Sequence, residues 1–65
     1  MESVKVLEQK MKFNNIAAAA EIIAAEGDYH RAAQIMNEAT QNLIVSTGIK
    51  PEWEITNEVL RVKYL

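Results

Sequence analysis

His30 is the only histidine in the chain and there is no cysteine, so the side chains best suited to nucleophilic attack, proton shuttling or soft-metal binding reduce to one imidazole. Glu26 and Asp28 lie close to it in sequence, which raises the idea of a weak cation site. A transition-metal centre, however, takes several ligands with nitrogen or sulfur prominent among them, and no second His or Cys exists to supply them. One imidazole on the polar side of a helix's first turn reads more simply as a solvated residue. Carboxylate pairs such as Glu52 with Glu54, or Glu54 with Glu58, could in principle serve as an acid and a base. General acid–base work needs a concave, partly dry pocket, and a chain this small has little volume for one, so solvated faces are the expected role. There is no glycine-rich phosphate loop and no Ser/His/Asp set. The expectation is a non-catalytic chain with no metal and no cofactor.

The elements that must position any surface come next, and length bounds them. Sixty-five residues form one helical domain, residues 1–65, and a domain of this size buries only about 60% of the surface its unfolded chain exposes. Below roughly 70–80 residues a lone core rarely supplies more than about 3–5 kcal/mol without disulfides, a metal or a second subunit. Without cysteine, only the second subunit is left. A composition of 49% hydrophobic and 25% charged residues is that of a folded chain rather than a disordered tail. The net charge of −2 is spread without blocks of either sign, which argues against a general pull on nucleic acid or an acidic membrane. Glu21, Glu26 and Asp28 interrupt the apolar stretches well short of the ~20 residues a membrane span needs. Met1-Glu2-Ser3-Val4-Lys5 lacks the basic and apolar regions of an export signal, so the cytoplasm is the default location.

Two glycines and one proline divide the chain into three stretches with helical apolar spacing. The first helix is expected from about Ser3 to Glu26, with the weak helix formers Asn14-Asn15 as a point where it could divide and Gly27 as a left-handed cap. The second starts at Asp28, whose carboxylate can accept from free amides of the first turn, and runs to about Thr47. Gly48 stops it, and Ile49 is placed to fold back on its last turn. Tyr29, Ala32, Met36, Ala39 and Leu43 form its apolar stripe. Pro51 suits the first turn of a third helix, with Glu52 and Glu54 against the positive end of its dipole. That helix would carry two opposed apolar faces, Trp53, Leu60 and Tyr64 on one and Ile55, Val59 and Val62 on the other. The alternation in Leu60-Arg61-Val62-Lys63-Tyr64 also fits a half-exposed strand. Helix is the preferred reading, giving an all-α fold: a helical hairpin plus a third C-terminal helix, a small bundle completed by oligomerisation.

Between Ile16 and Ala25 only Glu21 is polar, so this part of the first helix is apolar nearly all round. Two further helices cannot surround it, and a second copy or a foreign protein would complete its burial. The short side chains Ala17-Ala18-Ala19-Ala20 permit close helix approach. These features predict self-association, a dimer favoured, together with a protein partner. Ile22, Ile23, Trp53, Ile55, Val59, Val62 and Tyr64 are the expected contact residues.

Residues 15–40 resemble one tetratricopeptide repeat, a pair of antiparallel helices of about 34 residues. Gly27-Asp28-Tyr29 followed by Ala32 matches the family's Gly-Asp-Tyr-x-x-Ala turn, and Met36 and Ala39 stand where its second helix has a large apolar and a small residue. In the first helix Ile16, Ala19, Ala20 and Ile23 occupy the tryptophan, leucine, glycine and tyrosine places, and Ile44 stands where a typical repeat ends in proline. The resemblance implies a protein-binding adaptor or regulator. A second resemblance uses Gly27-Asp28, Arg31-Ala32-Ala33 and Ile35-Met36, which are similar to the first half of the helix-turn-helix of Fis-type DNA-binding proteins, with Asn37 at the turn glycine. It implies a recognition helix from Thr40 to Ser46, which has no Lys or Arg to supply phosphate contacts. Nucleic acid is therefore the less favoured partner. A structural subunit of a larger assembly, such as a phage component, is the third option.

Overall fold

Two helices and a β-hairpin follow one another along the chain: α1 (Val4–Ala25), α2 (Tyr29–Thr47), β1 (Pro51–Thr56) and β2 (Val59–Tyr64). The structure, a computed structural model, describes residues 3–56 and 59–64, without the side chains of Val59 and Tyr64.

Local signals set the helix ends. Ser3 caps α1, its hydroxyl accepting the Val6 N–H at 3.1 Å. At the other end Gly27 has φ 95°, its N–H donates to the Ala24 carbonyl at 2.9 Å, and the Asp28 N–H reaches back to Ile23 at 3.2 Å. Those two bonds are the paired pattern of a Schellman ending, which needs a residue tolerant of positive φ. Asp28 then caps α2 by accepting the Arg31 N–H at 3.1 Å. Gly48, at φ 76°, ends α2 and donates to Ile44 at 2.8 Å. The Ile49 amide does not return to a backbone carbonyl of the last turn, as a Schellman ending would have it, but donates to the Thr47 hydroxyl at 3.1 Å. α1 passes through Asn14-Asn15 unbroken, because both residues lie on its exposed side while Phe13 and Ala17 hold the turn against the core.

The helices pack through small residues. Phe13, Ala17, Ala20 and Ala24 of α1 face Ala32, Met36, Ala39 and Leu43 of α2, all buried, and Leu60 of β2 closes the cluster. Phe13, Met36 and Leu43 are the large side chains of this helix seam, and the alanines at its other positions let the helix axes come close.

The expected third helix does not form, and the all-α reading is corrected: residues 51–64 are a two-stranded antiparallel sheet. Pro51 pairs with Tyr64, Trp53 with Val62 and Ile55 with Leu60, which alternate with Glu52 opposite Lys63, Glu54 opposite Arg61 and Thr56 opposite Val59. A helix would have split these apolar residues between two opposed faces. The strand period of two gathers Pro51, Trp53, Ile55, Leu60 and Val62 on one face and leaves the charges, oppositely paired, on the other. The β-branched and aromatic side chains favour the same outcome, and Pro51 opens its strand, where a missing N–H does least harm. The apolar face lies on the helical pair, β2 chiefly along α1 and β1 along α2.

The helix-turn-helix reading is corrected as well. It required a turn at Asn37, whereas α2 is continuous from Tyr29 to Thr47, so residues 40–46 are not a separate recognition helix.

Candidate protein-binding surface

The hairpin covers one flank of the helical pair, and what it leaves open is the candidate surface. On the side of α1 turned away from α2, Val4, Leu7, Met11, Ala18, Ile22 and Ala25 recur at three- and four-residue steps, interrupted by Asn14 and Asn15. Val4 is 72% exposed, Leu7 50%, Met11 56% and Ile22 63%. Four large apolar side chains on one helix face thus stand in solvent while the opposite face, Phe13 to Ala24, is buried. Scattered exposed hydrophobics are ordinary, but several gathered on one helix face are a feature of contact surfaces.

Two shallow concavities complete the relief. The groove between α1 and α2, on the side away from the sheet, holds about 350 Å³ and is lined by Gln9, Lys12, Phe13 and Ile16 with Ala39, Asn42, Leu43 and Ser46. It is apolar at its floor and carries one cation. The second, about 420 Å³, lies at the hairpin and is lined by Glu52, Trp53, Glu54, Arg61, Val62 and Lys63. Its two acids and two bases stand opposite one another, so its lining carries no net formal charge.

The residues singled out from sequence fall into different places. Ile22 is exposed on the outer stripe, and Ile23 is half-buried against the core. Trp53, Ile55 and Val62, expected at an interface because a two-faced helix would have left them uncovered, are packed by the hairpin onto the chain's own core. Trp53 also donates its indole N–H to Thr40 Oγ1 at 3.0 Å, while the Thr40 hydroxyl donates to the Met36 carbonyl at 2.7 Å. The side chains of Val59 and Tyr64, and Glu58, lie outside the described residues. Val4, Leu7 and Met11 were not among the expected contacts. Their three- and four-residue spacing with Ile22, on the helix side opposite Phe13 and Ala17, is the signal that could have found them.

His30 is exposed in the first turn of α2 and lines neither of these concavities. Among the described residues no charged or polar side chain is buried, no group of three His, Asp or Glu is gathered, and no helix is long and apolar enough to cross a membrane. What this surface offers is apolar area on one helix face. Compared with protein-family models, curated proteins and solved structures, the chain finds no match in any of the three.

Proposed function

We propose that this chain is a non-catalytic protein-binding module, a small adaptor or regulator that acts through the outer face of α1. One observation carries the reading: Val4, Leu7, Met11 and Ile22 are each at least half exposed on a single helix face while the chain's core is filled without them. Burying such side chains is worth about 1.5–3 kcal/mol each, an ample drive for association. The likeness of residues 15–40 to a tetratricopeptide repeat agrees in kind, since that unit also works by helix-face contact. The proposal includes a cytoplasmic setting, where a chain without cysteine loses nothing to reduction.

The test is a photo-crosslinking amino acid placed at Met11 in the full chain and expressed in the source cell, with the same group at Gln34, on the exposed side of α2, as the control. A protein adduct at Met11, with the chain itself or with another protein, and none at Gln34 is the expected result. Equal labelling at both positions, or no protein adduct at Met11, refutes the proposal.

A further inference from the structure

We infer that the occupant of the outer face of α1 is a second copy of this chain, its α1 running antiparallel, with the two-fold axis passing between Asn14 and Asn15. The inference rests on the proposal that this face binds protein, and it names the partner.

Two features of the stripe carry it. The first is its internal symmetry about the middle of α1. Full antiparallel overlap of two Val4–Ala25 helices sets Val4 against Ala25 of the copy, Leu7 against Ile22, and Met11 against Ala18. At two of the three levels a large side chain meets a small one, and at the third two branched residues meet, so the faces interdigitate without a void or a clash. A parallel pairing in register would instead stack Met11 on Met11 and Ala18 on Ala18, thick at one end and gapped at the other. Asn14 and Asn15 fall at the two-fold, each facing the other of the copy. One polar level in an apolar seam is a known means of fixing register, because any slip would set an amide against apolar side chains.

The second feature is charge. The first half of α1 carries Lys5, Lys10 and Lys12 with one acid, Glu8, and the second half carries Glu21 and no base. Antiparallel overlap lays the basic half of each helix along the acidic half of the other. It brings Lys10 within about two residues' rise, roughly 3 Å along the axis, of Glu21 on the copy, and the two-fold repeats the pair. Parallel pairing would oppose like charges over the whole length and align the two helix dipoles unfavourably. A two-fold contact is the commonest form of self-association, and it needs a self-complementary patch of this kind.

Because the chain has no cysteine, single introduced thiols test the geometry directly. Asn15→Cys should form a disulfide-linked dimer under mild oxidation, since the two thiols meet at the axis. Leu7→Cys alone and Ile22→Cys alone should not, because each lies some 15 residues, roughly 22 Å of helix, from its own copy, far beyond disulfide reach. An equal mixture of Leu7→Cys and Ile22→Cys should crosslink as a mixed dimer. Self-crosslinking of Leu7→Cys would establish parallel pairing and overturn the inference. An Asn15→Cys dimer without the mixed Leu7/Ile22 product would mean helices that merely cross, which overturns it too. If no thiol pair closes while the crosslinker at Met11 captures a foreign protein, the inference falls and the proposed function stands.

Discussion

At the scale of single residues, Met36 and Thr40 bind the parts together. Met36 is fully buried at the centre of the seam, where few other side chains are large. Met36→Ala is expected to cost about 2–5 kcal/mol, most of what a lone core of this size supplies, and urea unfolding followed by far-ultraviolet circular dichroism checks it. Thr40 links the helix to the hairpin by accepting from Trp53 while donating to Met36. Thr40→Val keeps the shape and removes both bonds, at an expected cost of about 1 kcal/mol. Trp53→Phe in the Thr40→Val background should cost less than in the native chain, a non-additivity that a double-mutant cycle measures. The caps at Asp28, Gly27 and Gly48 were legible in the sequence because each acts on neighbours a few residues away. The Thr40–Trp53 bond was not, since it joins positions thirteen residues apart and exists only once the hairpin has docked.

At the scale of elements, residues 51–64 show why sequence can point to the wrong structure. Pro51, Glu52 and Glu54 are valid signals for a helix start, and the same three residues serve equally well as the proline-led opening of a strand with charges at alternate positions. The deciding facts are the pairings of Glu52 with Lys63 and Glu54 with Arg61, which appear only when Thr56 is set opposite Val59. The alternation in Leu60 to Tyr64 was visible and was outweighed by helix signals upstream. Glu54→Lys sets like charges across the sheet and should cost about 0.2–1 kcal/mol in thermal unfolding, with Arg61→Glu restoring the loss. Gly48 provides a separate test of an element's end. A Cβ there meets nothing within 4 Å, so Gly48→Ala should cost roughly 1–2 kcal/mol from left-handed backbone strain alone.

At the scale of the whole molecule, the chain has apolar helix surface on more sides than it can cover. The apolar circumference of α1 was legible in the run from Ile16 to Ala25. Which part of it the chain covers itself was not legible: the hairpin lies on the helical pair, so Trp53, Ile55 and Val62 turn inward and Val4, Leu7, Met11 and Ile22 are left exposed. If two chains associate through that area, stability depends on concentration. A tenfold dilution should lower the melting temperature by roughly 3–6 °C, and Met11→Glu should both lower it and abolish the dependence. The bond from Trp53 to Thr40 has a practical result here. It ties the chain's single tryptophan to the boundary between its helical and sheet layers, so natural emission colour and intensity give a label-free gauge of that boundary. Ellipticity at 222 nm follows chiefly the helices, and the two signals recorded on one sample would separate the loosening of the sheet from the melting of the pair beneath it.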